Sequence, residues 1–224
     1  MERMPFRSAA GVLAFAISAT GFVYAQEQGA SGSSSSKNAK PEQHIKREPA
    51  SDLAAKIYRN STYAFTYKIP YGWVERTREM QADDSGVSNS DPAAGKVILA
   101  IFERPPEATG DTINSAVVIV EEPAASYPGL NSAVDYLGPV NDLATSKGFH
   151  VEGEPSEVTM GNRTLVRGDF SRSLGSLTMR QSTLILLQKP SVVSFTFIGS
   201  SEDEIAQLID ALNFTGSRPP QTKK

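Results

Sequence analysis

The chain has 224 residues, with 22 lysines and arginines against 25 aspartates and glutamates, for a formal net charge of −3. Such a balance lacks the strongly basic face that nucleic-acid binding needs. The chain has no cysteine and only two histidines, which excludes disulfides, thiolate nucleophiles, a cysteine-linked lipid anchor and a cysteine- or histidine-rich zinc site.

The first residues, MERMPFR, set Arg3 and Arg7 against Glu2, and the apolar stretch SAAGVLAFAISATGFVYA follows. A basic start, a short apolar middle and Val23-Tyr24-Ala25 before Gln26 describe a secretory signal peptide over 1–25. A retained membrane anchor is the alternative. Ser18, Thr20 and Gly21 interrupt the stretch, however, and it falls short of the roughly 20 strongly apolar residues of a spanning helix. The expected location is therefore periplasmic or secreted, with no integral membrane segment after cleavage. Removing 1–25 takes away two basic residues and one acidic residue, leaving 20 against 24 and a net charge of −4.

Residues 26–51 hold a serine run, Ser33 to Ser36, and almost no apolar side chains. They cannot bury enough surface to offset ordering entropy, and the expectation is a disordered linker. Lys37, Lys40, Lys46 and Arg47 could touch an anionic surface, or the segment could simply stay solvated. A second disordered tail is expected over 217–224, and one domain over 52–216, long enough for a single core.

Strand patterns dominate that domain. In STYAFTYKIPYGW (61–73), Tyr63, Phe65, Tyr67 and Ile69 alternate with Thr62, Ala64, Thr66 and Lys68, the period of a half-buried strand. Four large side chains on one face read as core beneath a helix, with an aromatic ligand platform as the competing reading. Pro70 suits the second position of a type I turn and Gly72 the fourth, which would return Trp73 toward that core. KVILAIFE (96–103) and NSAVVIVEE (114–122) are near-continuous apolar runs, expected to be buried on both faces. The intervening MQADDSGVSNSDPAAG (80–95) reads as a long polar loop.

Val134, Leu137, Val140 and Leu143 fall at helical spacing in 131–147, with Asn131 as the expected cap and Gly148 as the stop. Pro139 would open a second helical half after a kink at Gly138. An antiparallel meander follows, with turns at Gly161-Asn162, near Gly175 and at Lys189-Pro190-Ser191. In SSEDEIAQLIDAL, Ser201 and Glu204 read as a capping box. Glu202 and Asp203 suit the positive helix end. Ile205, Leu208, Ile209 and Leu212 then form one stripe facing the sheet.

An aromatic strand running into Pro-x-Gly-Trp, and the terminal SFTFIGSSEDEIAQLIDALNF strand–helix unit, resemble the PsbP-like superfamily across about 57–215 in the order of elements. The resemblance implies an α+β fold, an α/β/α sandwich with a central, mostly antiparallel sheet and helices on both faces. It also implies accessory or protein-binding roles rather than a uniform enzymatic one.

Catalytic patterns are sparse. His150 stands alone before a strand, and the chain has no G-x-S-x-G elbow, Walker loop or G-x-G-x-x-G. Glu152, Glu154 and Glu157 could pair in a hydrolase, but sequence does not set their separation. Asp83, Asp84 and Asp91 could bind calcium or remain solvated. No catalytic residue, metal ligand or cofactor is assigned.

The expected function is a non-catalytic exported module acting on another cell-envelope protein. Its candidate partner-binding residues are Asp83, Asp84 and Asp91 in the long loop, Pro105 and Pro106 in ERPPEATG, and Tyr127 in EEPAASYPG. The alternatives are a small-ligand or metal carrier with a pocket between sheet and helix, and an unrecognised hydrolase around His150.

Overall fold

A computed structural model describes residues 56–85, 95–108 and 110–214. The expected signal segment 1–25, linker 26–51 and tail 217–224, together with Asp91, lie outside the described residues. The elements in chain order are β1 (Ile57–Asn60), β2 (Phe65–Lys68), β3 (Val74–Glu75), α1 (Thr77–Ser85), β4 (Lys96–Phe102) and β5 (Ala116–Pro123). Two short 3-10 turns, Ala124–Ser126 and Ala133–Tyr136, lead into α2 (Leu137–Ser146). Then come β6 (His150–Met160), β7 (Arg163–Leu174), β8 (Leu177–Gln188), β9 (Ser191–Gly199), α3 (Glu202–Asp210) and β10 (Leu212–Phe214).

Seven strands pair in the order β3-β4-β5-β9-β8-β7-β6, every neighbour antiparallel. The long β6–β9 strands are joined by tight turns, as turn chemistry at Gly161, Gly175 and Lys189-Pro190 predicts. The one excursion, from β5 to the far edge at β6, carries α2 across a face of the sheet. A second sheet, β1-β2-β10, is also antiparallel. The protein is an α+β sandwich, with α3 on one face of the large sheet and α2 on the other.

The aromatic strand is core, but in a different layer from the one expected. Tyr63, Phe65, Tyr67 and Ile69 are all buried. Their cover is no helix: β2 pairs with β1 and β10 in the small sheet, and its inner face packs on the large one. The Phe65 ring meets Phe195 edge-on at 5.2 Å, and Tyr67 lies 6.4 Å from Phe197. The Tyr67 hydroxyl donates to the Leu208 carbonyl at 3.0 Å, so the phenol's polar end is satisfied inside the core. Burial pushes that phenol's pKa well up. The space expected for a ligand on this aromatic face is filled by these rings.

Several local expectations are corrected. The turn after β2 is closed by Trp73 N to Pro70 O at 3.3 Å, with Gly72 at φ +82. Pro70 is therefore its first residue and Gly72 its third, where a positive φ favours glycine. Trp73 does return to the aromatic core, partly buried. The first six residues of the expected 80–95 loop belong to α1 instead. This helix covers the exposed edge of β4: Arg76 N donates to Ala100 O, Thr77 Oγ1 accepts from Ala100 N, and Gln81 Nε2 donates to Val97 O. An open strand edge is an aggregation hazard, and α1 removes it.

Ahead of α2, the Asp135 carboxylate accepts from Asn131 N, Ser132 N and Ser132 Oγ. The capping pair is therefore Ser132/Asp135, and Asn131 takes part only through its backbone. The buried stripe is Tyr136, Leu137, Val140 and Ala144, while Val134 points outward. The helix begins at Leu137 after a 3-10 turn, which puts Pro139 in the first turn, where its missing N–H costs no helical bond. Gly148, at φ +82, ends α2 as expected.

At α3, Ser201 Oγ accepts from Glu204 N at 3.2 Å. The reciprocal half of the expected box is absent, because Glu204 reaches elsewhere: its carboxylate accepts from Ser200 N, Ser200 Oγ and Ser115 Oγ. Gly199 leaves room for that carboxylate, which sits 3.1 Å from where a Cβ would be. Burial works against ionisation here, but the Ser115 and Ser200 donors outweigh it and hold Glu204 below the ordinary carboxyl range. Glu204 thus ties the start of α3 to Ser115, just ahead of β5.

Candidate functional site

Alternation along β7 turns Arg167, Asp169 and Ser171 to the same face as Leu165, which is the aromatic-core face. Beyond the reach of the small sheet that face is open. Arg180 of β8 joins it there, Glu152 of β6 lies opposite Asp169 across the strand pair, and the first turn of α3 brings Glu202 and Asp203. These six charged residues line a groove of about 420 Å³ floored by Ile205 and Ala206. Phe170 and Gln181 also border it. Their side chains belong to the opposite face by alternation, Phe170 among the α2-side core, so it is their backbone that contributes.

Two ion pairs organise the groove. Arg167 Nε contacts both Asp169 carboxylate oxygens at 2.9 and 2.8 Å, and Arg180 Nη1 lies 3.1 Å from Glu202. Each arginine side chain keeps about a third of its surface, while Glu202 is largely exposed. Pairs this accessible contribute little to folding, and their guanidinium forks keep donors facing solvent. The arrangement offers closely spaced charges of both signs to an incoming polar chain.

The same edge places His150 directly opposite Ser171, with Glu152 two residues along. This is the one place where the described residues gather serine, histidine and carboxylate on one face. The order is wrong for acyl transfer, since the Ser171 hydroxyl donates to Glu152 and not to imidazole.

Of the partner-binding candidates read from sequence, Pro105, Pro106 and Tyr127 are not among the residues that line this groove. Asp83 and Asp84 belong to the last turns of α1, and Asp91 lies outside the described residues. Pro105 and Pro106 sit in the β4–β5 connection, beside the Arg76–Glu107 ion pair of 2.7 Å. Tyr127 follows β5 at the other end of that strand. Its hydroxyl donates to Glu122 at 2.7 Å, and Tyr136 donates to the same carboxylate. Glu122 is 1% exposed, so Tyr127 is half-buried in a Tyr–Glu–Tyr cluster that fastens the crossover to β5. Burial and the neighbouring Glu122 charge raise the pKa of both phenols.

From sequence Glu152 reads only as a hydrolase carboxylate, and Arg167, Asp169 and Arg180 are not singled out. The available signal was Arg167–Asp169 at i, i+2 in a strand whose alternate positions are apolar.

Among the described residues no helix is long and apolar enough to cross a membrane, and no group of three or more His, Asp and Glu side chains is placed to hold a metal ion.

No protein-family model and no curated protein matches the chain. Among solved structures, cyanobacterial PsbP (CyanoP) from Synechocystis sp. PCC 6803 is similar over 76% of this chain and 99% of its own, at 14% identity and a TM-score of 0.43. LpqN, described as involved in cell envelope biogenesis of Mycobacterium tuberculosis, is similar over 74% of this chain and 88% of its own, at 15% identity and a TM-score of 0.35. The Ran-binding protein Mog1p of Saccharomyces cerevisiae is similar over 70% and 83%, at 12% identity and a TM-score of 0.40. The PsbP-like resemblance read from the residues is thus met among solved structures as a likeness of chain course. At these identities and TM-scores it carries no residue role, partner or activity to this chain.

Proposed function

We propose that the protein is an exported, non-catalytic binding module that engages another cell-envelope protein through the groove between β6–β8 and the start of α3. The observation that carries this reading is the collection of Glu152, Arg167, Asp169, Arg180, Glu202 and Asp203 in one cleft, with Arg167–Asp169 and Arg180–Glu202 as accessible, weakly stabilising pairs. Charges that do little for the fold are free to exchange partners, and complementary charge gives an interface register and specificity. Export rests on the signal pattern of residues 1–25. The runner-up reading keeps Asp83, Asp84, Asp91, Pro105, Pro106 and Tyr127 as the partner-binding candidates.

The test is crosslinking capture from the native cell envelope with the chain from Gln26 to Lys224. It is repeated with Arg167→Glu and Arg180→Glu together, and separately with Pro105→Ser and Pro106→Ser. Loss of one saturable partner in the arginine variant alone supports the groove. Loss only in the proline variant moves the interface to the β4–β5 end. Retention of the partner by both variants overturns the reading.

A further inference from the structure

The small sheet has an outer face that the core does not use. Tyr58, Phe65 and Tyr67 turn inward, so Ile57 and Arg59 of β1, Thr66 and Lys68 of β2, and Asn213 of β10 turn outward. Register sets Ile57 against Lys68, Arg59 against Thr66 and Asn213 against Thr66. The face therefore bears two exposed cations and no carboxylate, on a chain whose net charge is −3.

The turn that follows β2 adds an aromatic tip. Ile69 N donates to Lys56 O at 2.8 Å, which holds the start of β1 beside the root of this turn. Tyr71 stands at the turn's apex, 87% exposed, and Ile57 is 48% exposed. Trp73 anchors the turn, with part of its surface still accessible. Single exposed apolar residues need no explanation. An exposed tyrosine and isoleucine, with a part-buried tryptophan in the same turn and arginine and lysine on the adjoining sheet face, make a different pattern. The rings suit the headgroup layer of a bilayer, the aliphatic chain suits its apolar boundary, and the cations suit lipid phosphates.

We propose that this tip and the outer face of the small sheet dock on an anionic lipid surface. Residues 26–55, which include the cations Lys37, Lys40, Lys46 and Arg47, join the described chain at Lys56, beside the root of this turn. The proposed partner groove lies at the other end of α3. Glu202 lines the groove, whereas Ala211 O, one residue past the helix, accepts from Lys68 N at 3.0 Å. Nine helical residues span about 13 Å, so lipid contact at the tip leaves the groove open to a partner.

Trp73 is the chain's only tryptophan, and its emission reports on the tip alone. The chain from Gln26 to Lys224 is mixed with phosphatidylcholine vesicles with or without phosphatidylglycerol, and with the same lipids brominated on their acyl chains. The expected result is co-sedimentation with the anionic vesicles and quenching of Trp73 by brominated lipid. Ile57→Ser with Tyr71→Ser should lower partitioning by about tenfold, and Arg59→Gln or Lys68→Gln by about fivefold each. These side chains are exposed, and an unchanged thermal melt verifies that the fold is intact. Replacing Lys37, Lys40, Lys46 and Arg47 by Gln should leave Trp73 quenching in place.

Failure to bind anionic vesicles overturns the proposal. So does binding that leaves Trp73 unquenched and is insensitive to the tip variants, since the linker cations alone would then be responsible. A Trp73 response to dextran sulfate without any quenching by brominated lipid would also overturn it, and would assign the face to an anionic macromolecule.

Discussion

The two faces of the seven-stranded sheet are built on different principles. One packs Leu99, Ile101, Val117, Ile119, Leu184, Phe195 and Phe197 against the small sheet and α3, with aromatic rings in edge contact. The other, beneath the 3-10 turn and α2, carries a polar line through its centre. Gln181 Nε2 donates to Thr183 Oγ1, which lies 3.3 Å from Thr196 Oγ1, and Ser194 follows two residues along β9. All four are buried, yet Gln181 Oε1 and Ser194 Oγ have no hydrogen-bond partner among the described residues. Beside Ser194, Glu122 holds Tyr127 and Tyr136. Small residues accompany the line: Gly168 faces Thr183 across the strand pair, and Leu137 of α2 lies 2.8 Å from where its Cβ would be.

The difference teaches that burial alone does not set how firmly a layer is held. An all-apolar interface gains from every contact, whereas a buried polar line gains only where it is satisfied. The first cover should behave as part of the global core and the second as the more easily loosened layer.

The largest expected effect tests the aromatic face. Phe195→Ala should destabilise by about 3–5 kcal/mol, since it removes the ring that Phe65 and Phe214 contact; urea unfolding reads this directly. Tyr136→Phe tests the opposite face by leaving the buried Glu122 carboxylate with one phenol donor fewer. A cost of about 1–3 kcal/mol is expected, with amide exchange accelerating in α2 before α3. Uniform acceleration would remove the distinction between the two covers.

Glu204→Gln probes the junction of α3 with Ser115 at the groove end of the aromatic face. Its carboxyl lies below the ordinary value of 4.5 when folded. The stabilisation is therefore complete above the unfolded value and lost as pH falls through the lower folded one. The wild type should exceed the variant by under about 1 kcal/mol at neutral pH, given partial exposure, and the gap should close on acidification below 4.5. A gap independent of pH would discount the carboxylate's hydrogen bonds. The smallest effect belongs to Ser194→Ala. An unpartnered buried hydroxyl adds no stability, so unfolding free energies from urea titration should agree within about 0.5 kcal/mol, with any difference in the variant's favour. A clear loss of stability would show that the polar line is satisfied at that end.

Much of this architecture was legible where periodicity is strong. The alternation of Tyr63, Phe65, Tyr67 and Ile69, the double-sided burial of β4 and β5, the β6–β9 meander and the stripe of α3 all follow from local spacing. The same reasoning missed β1, whose four residues lack a pattern of their own, and β10, a three-residue strand ordered only by pairing with β2. It read α1 as a loop because TREMQADDS has little apolar content; this helix is stabilised by hydrogen bonds to the edge of β4. Asn131 and Ser132 are both acceptable caps, and the choice fell to the residue within reach of Asp135.

The sequence by itself determined which side chains must leave water and roughly where the chain turns, because burial preference and turn chemistry are properties of a few neighbouring residues. The tertiary structure decided which sheet the aromatic strand joins and what covers each face. It also decided that charges from β6, β7, β8 and α3 share a groove, while Arg59 and Lys68 share the outer face of the small sheet. Those outcomes depend on pairing between segments up to about 150 residues apart, such as β10 with β2 and α3 with Ser115. No local period encodes them, since a charged residue at an outward strand position looks the same whether it faces open solvent or the first turn of a helix.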